Sequence, residues 1–441
     1  MANGVRWKLS LMMFLEFFMS GAWLPLIFGY LPSLGFSPTE QSLILNTFPI
    51  AAIVGLFFSN AFADRNFAAE KVLACSHLVG GLAMLGLSQS RTFTPFFLLM
   101  LLHCLFYVPT ISITNSIAFA NVKDAQKDFG PVRMWGTIGW IAAAWPFTFI
   151  LVDWNKVGAA NPQGIVNWLG TVLASGLTGD ALKEATKWTY VVAGGAALVL
   201  AGFRLMLPHT PPKKASYGSN KLAWVEAGRL LQHPFVLVLW LVTLVDAFVH
   251  NSYFNWTGSF LGTDVASGGV GIPGNWIMPV MSVGQIAEIF TMVFLGATLK
   301  GLGWRWTMVI GILGHAARFG VYAFFPDHKE FIVIVQVLHG ICYAFFFATV
   351  YIFVDAFFPK DARASAQGLF NVMILGIGSL VANSVCPFLK QEVFTHGSTT
   401  DFHTLFLVPM IAAIAAAIAL ALFFRPPATS QAPGAEPAPA H

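Results

Sequence analysis

Residues 208–233 read PHTPPKKASYGSNKLAWVEAGRLLQH. Pro208, Pro211 and Pro212 interrupt any continuous helix, and Lys213, Lys214, Lys221 and Arg229 keep the stretch out of lipid. It reads as a cytoplasmic linker with room for a short amphipathic helix near Leu222–Leu231. Outward from it, apolar runs repeat in both directions, each near the ~20 residues that cross a bilayer. Six precede it, at 9–31, 41–62, 70–89, 93–118, 132–152 and 188–207. Six follow, at 234–260, 276–299, 305–325, 331–357, 365–388 and 403–424. Backbone in lipid must satisfy its own hydrogen bonds, so runs of this length are helices. The expectation is an all-α integral membrane protein with twelve transmembrane helices in two six-helix halves. Its parts are an N-terminal bundle (1–207), the linker (208–233), a C-terminal bundle (234–425) and a disordered Pro/Ala-rich tail (426–441).

Composition agrees. Hydrophobic residues make up 56% of the 441, charged residues only 10%, and mean hydropathy is +0.70. The net charge of +4 reflects membrane topology rather than nucleic-acid binding. Cys75, Cys104, Cys342 and Cys386 stand singly in apolar runs and form neither a metal motif nor a disulfide framework. The apolar stretch after Met1–Lys8 exceeds a signal-peptide core and reads as a retained first span. With both termini in the cytoplasm, 17 of the 24 Lys and Arg residues lie on the inner side and six outside, with Arg318 within a span. Asp153–Lys187, poor in basic residues, then becomes an external loop. Two halves around a basic linker is the layout of a transporter with a midplane site, reoriented by alternating access.

Polar residues inside the spans point to that site. An ionised group at mid-bilayer costs roughly 3 kcal/mol or more, so it faces a cavity or a partner. Gln285 and Glu288 lie at i and i+3 on one face of the eighth span, and Glu16 sits among phenylalanines in the first. Either acid is a proton-coupling candidate; either could instead be a structural carboxylate paired to a neighbouring helix. Arg133, Thr137 and Trp140 share a face of the fifth span and offer a cation, a hydroxyl and a flat ring to a planar polar solute. Arg133 also fits a membrane-surface anchor, and Gly136 and Gly139 fit close helix packing. The seventh span holds Asp246, His250, Asn251 and Asn255, and the tenth pairs His339 with Tyr343 at i and i+4. His77 and His103 read as core histidines, and sequence alone names no partner for Arg318. Asp64, Arg65 and Arg363, in short charged turns at the inner face, are gating candidates. No activated nucleophile, metal cluster or phosphate-binding loop marks an enzyme, and no cofactor or metal is expected.

Four stretches carry a family resemblance: PVRMWGTIG at 131–139, MSVGQIAE at 281–288, RASAQG at 363–368, and Gly21-Ala22-Trp23. Pro109-Thr110 with Asn115, and Ala317-Arg318-Phe319, add to it. Here the chain resembles the nucleoside:proton symporters of the major facilitator superfamily, from the first span to the twelfth. The resemblance implies uptake of a nucleoside with protons across the inner membrane, by a chain that works as a monomer in the lipid bilayer. It implies substrate contacts from Arg133, Thr137, Trp140, Gln285 and Glu288, with His339 and Tyr343 at aromatic site positions. In the seventh span Asn251 matches best, with His250 and Asn255 as offset candidates. Two departures bear on coupling: Ala344 stands where some relatives carry an aspartate, and Glu16 where some carry an amide, so Glu16 is a substitute for the missing acid. Two rivals remain: a facilitator for another polar solute such as a sugar, and a membrane sensor that binds such a solute without moving it.

Overall fold

The computed structural model describes residues 3–55, 67–122, 125–212, 229–358 and 367–426. Each expected span has a helical counterpart, and nine helices among the described residues are long and apolar enough to cross a membrane. One of the nine, Gly274–Phe324, covers the eighth and ninth spans together. Its internal break is Gly303, whose φ of 70° is a backbone state that costs a residue without Cβ nothing. The second span divides into Pro38–Leu45 and Thr47–Val54, and the fifth into Ala125–Ala144 and Phe147–Ile150. Asp64, Arg65 and Arg363, most of the linker and the tail after 426 lie outside the described residues. The expected external loop carries three short helices, Trp154–Ala160, Ile165–Ala174 and Gly179–Ala185, the first capped by the Asp153 side chain.

The backbone contacts gather into two units, and these do not follow the halves of the sequence. The first comprises Met1–Lys214, Phe254–Val283 and Asn383–Thr400; the second comprises Ala215–Tyr253, Gly284–Ala382 and Asp401–His441.

In the first unit, close packing follows the small residues. The first span (Asn3–Ser33) lies against the fifth, where a Cβ on Gly139 would land on the Phe14 carbonyl oxygen. Third and sixth spans approach at Gly81 and Gly194, each facing the other's carbonyl. Leu9, Met12, Leu73, Ile117, Val132 and Leu200 fill one continuous core among these helices. Polar ties join distant segments of the same unit. Asn383 donates to the Leu45 carbonyl (3.1 Å) and accepts from Asn255 (3.0 Å). Asn46 donates to Ser384 (2.9 Å), Trp276 to the Leu173 carbonyl (2.8 Å) and Asn275 to the Thr148 carbonyl (3.2 Å). Asn383→Ala removes two buried hydrogen bonds, one to the Leu45 carbonyl and one from the Asn255 amide. It is expected to lower stability by about 2 kcal/mol, read as a fall in melting temperature of the purified protein.

The second unit packs in the same way. A Cβ on Gly284 would lie 2.7 Å from that of His339, and one on Gly311 would lie 2.8 Å from the Phe346 nitrogen. Gln336 is buried and receives the Tyr253 hydroxyl (3.0 Å) while donating to the Tyr322 hydroxyl (2.7 Å).

Candidate functional site

In the first unit, the Glu16 side chain is fully buried and its carboxylate is held from two sides. His77 Nε2 lies 2.8 Å from Oε2, and the Thr110 hydroxyl donates to Oε1 at 2.6 Å. Three spans thus converge on one acid. The next shell is also polar: Tyr107 donates to the Glu16 carbonyl (3.2 Å), shares a hydrogen bond with Ser20 (2.8 Å), and stacks on His103 at 5.2 Å. The His103 Nδ1 must carry its hydrogen, because its partner at 3.0 Å is the Gly80 carbonyl, which only accepts. Facing a carboxylate, His77 Nε2 likewise holds a hydrogen. Glu16 and His77 together form a carboxylate–imidazole pair shielded from solvent.

One residue along the first span, Phe17 turns toward the fifth. The Arg133 guanidinium lies over the Phe17 ring, 4.1 Å from its centre. Gly136 makes room for this: a Cβ there would meet Arg133 Nη1 at 2.6 Å and Phe17 Cδ2 at 2.7 Å. Arg133, Thr137 and Trp140 are all half-buried, so the face read from their spacing exists and remains accessible. Arg133 therefore contacts the residue that follows Glu16 in the first span.

The second unit assembles His250, Gln285, His339 and Tyr343. The His250 ring is 5.1 Å from His339 and 6.3 Å from Tyr343, while Gln285 Nε2 is 3.4 Å from His339 Nε2. Glu288 is half-buried on the same face as Gln285. Asn251 bonds back to the Ala247 carbonyl of its own helix (2.8 Å). Asn255 falls in the first unit, where Asn383 engages its amide. Arg318, fully buried, lies over Tyr253 (4.0 Å) and contacts the Nδ1 atoms of His339 and His315, each at 3.0 Å.

A family model described as nucleoside H+ symporter matches residues 3–167 and 163–429. The chain belongs to the nucleoside H+ symporter family. It is 31% identical over 428 residues to the putative nucleoside transporter YegT of Escherichia coli (strain K12), covering 95% of this chain and 93% of that one. It is 24% identical to the xanthosine permease of the same organism, with 95% of each chain covered. A crystal structure of the nucleoside transporter NupG matches with a TM-score of 0.78 at 23% identity, covering 96% of this chain and all of that one. That likeness carries the major facilitator fold expected from the sequence.

Within this symporter fold, three residues that bear on the site escape sequence reasoning. His77 reads as a core histidine, yet it holds Glu16; nothing local to Cys75–His77 signals a partner 61 residues away. Thr110 completes the pair across 94 residues. His315 also goes unread as a partner of Arg318: its place three residues earlier, on one helical face, allows the contact without singling it out.

Proposed function

We propose that this protein takes up nucleosides together with protons by alternating access, as a monomer in the inner membrane with both termini in the cytoplasm. The observation that carries the coupling is the Glu16–His77–Thr110 cluster. A carboxylate stripped of water and given a histidine and a hydroxyl is a site for one transferable proton, not a surface charge. A proton drives reorientation only by favouring one conformational state over the other. Glu16 borders Phe17, which supports Arg133, so loading the acid and holding the solute act on adjoining residues of the first span. Arg133, Thr137 and Trp140 recognise the planar base, while Gln285, Glu288, His250, Asn251, His339 and Tyr343 serve the polar edges of base and ribose. Asp64, Arg65 and Arg363 gate the inner face. The marked excess of basic residues at the inner side supports the orientation.

Counterflow of labelled uridine in proteoliposomes tests the transport reading. Exchange of label against internal uridine is expected, and no exchange under any gradient overturns it. Arg133→Lys keeps the charge and loses the flat fork. It is expected to raise the KM for nucleoside about tenfold with little change in kcat, measured as initial exchange rates against concentration.

A further inference from the structure

The second unit holds a chain of buried polar groups that begins at Asp246 and ends at Gln285. Asp246 is fully buried on the seventh span, and neither carboxylate oxygen has a hydrogen-bond partner among the described residues. Its nearest base is His315, whose Nε2 is 3.7 Å from Oδ2. Arg318 then bridges His315 and His339 through their Nδ1 atoms, each at 3.0 Å. Beyond His339 stands Gln285.

Hydrogen-bond inventory fixes the direction of this chain. A guanidinium has only donors. Both Nδ1 atoms that face Arg318 are therefore acceptors, and both rings carry their hydrogen on Nε2. On His315 that hydrogen points toward Asp246, placing the carboxylate as counter-charge to the buried guanidinium. On His339 it points toward Gln285. An amide nitrogen facing it at 3.4 Å would set donor against donor, while Gln285 Oε1, buried, has no partner among the described residues. Turning the amide by 180° resolves both at no steric cost, because its oxygen and nitrogen are nearly the same size. The carbonyl then accepts from His339, and the amide hydrogens take the place of the buried oxygen that has no donor facing it.

We infer that Arg318 is a positioning residue that fixes the polarity of Gln285, so that Gln285 donates to an acceptor atom of the nucleoside. The inference rests on the reading that Gln285 touches the substrate. Asp246, His315 and Arg318 then act together to hold His339 in one tautomer, and thereby one end of the amide toward the ligand.

Three measurements on the full-length protein test it. The first is ring 15N spectroscopy of histidine-labelled protein in bilayers, with His339→Gln and His315→Gln used for assignment. Both rings are expected to carry their hydrogen on Nε2 and accept at Nδ1; a His339 with hydrogen on Nδ1 overturns the inference. The second is Arg318→Lys, which keeps the charge opposite Asp246 but cannot bridge two imidazoles. The KM for uridine is expected to rise about tenfold with kcat within about twofold, the pattern of a lost binding contact; an unchanged KM overturns the inference. The third is Gln285→Glu, which can accept from His339 but offers no donor to the ligand. About tenfold weaker uridine binding or more is expected, and affinity equal to wild type overturns the inference. If either variant fails to fold, the tautomer measurement on wild-type protein still decides the matter. Wild-type protein that shows no uridine exchange would instead defeat the transport reading, whatever tautomer His339 adopts.

Discussion

Glu16→Gln exchanges uridine across the membrane but no longer concentrates it. An amide keeps the shape of the carboxyl group and can still accept from Thr110 and face His77, so the bundle loses little packing. What it loses is a group that takes up and releases a proton. With one proton per nucleoside, a gradient of one pH unit supports about tenfold accumulation, since one unit is worth about 1.36 kcal/mol. The variant is expected to fall to a ratio of about one while counterflow stays within a few-fold of wild type, a loss of the whole coupling free energy. Proteoliposomes with an imposed inward proton gradient give the ratio directly. Glu288→Gln, changing an acid that is half-buried, is expected to weaken nucleoside binding and keep the ratio of accumulation per bound nucleoside. The reverse pattern, with accumulation intact in Glu16→Gln and lost in Glu288→Gln, would move the proton to the eighth span.

Gly139→Val gives no folded transporter. The Cβ would be placed on the Phe14 carbonyl oxygen, 2.9 Å from its carbon and 3.0 Å from the Phe14 Cα. These are backbone atoms of the neighbouring helix, so no side chain can swing aside. The first and fifth spans would have to separate, and that separation would undo the Phe17–Arg133 contact and shift Glu16 against His77. Overpacking alone costs about 1–3 kcal/mol, and forcing two helices apart along their contact costs more. Expression with size-exclusion detection is expected to show loss of the monodisperse peak. Gly130→Ala, on the same helix with open space at its Cβ, serves as the control and is expected to be neutral or slightly stabilising.

What is readable in the sequence follows the range of the forces involved. Apolar runs of about 20 residues admit one physical solution in lipid, so the membrane helices are legible from Leu, Phe, Ile and Val content alone. Their interruptions are less so: the break at Gly303 and the division at Asn46 depend on single residues within otherwise continuous patterns. Side chains that share a helix face are legible too, because i, i+3 and i+4 spacing is local. Arg133 with Thr137 and Trp140, and His339 with Tyr343, emerge that way. Contacts across helices do not. Glu16 announces itself as a costly group without naming His77 or Thr110, and Asn255 does not name Asn383, its partner across 128 residues. The backbone units, which take Phe254–Val283 and Asn383–Thr400 away from the rest of the C-terminal spans, also have no signature in composition.

The most direct test of the account is accumulation of labelled uridine by purified wild-type protein in proteoliposomes, with the interior one pH unit more alkaline than the exterior. Uridine is expected to rise about tenfold above the outside concentration and to fall back when a protonophore collapses the gradient. Equilibration to the outside concentration, unaffected by the gradient or the protonophore, would contradict it.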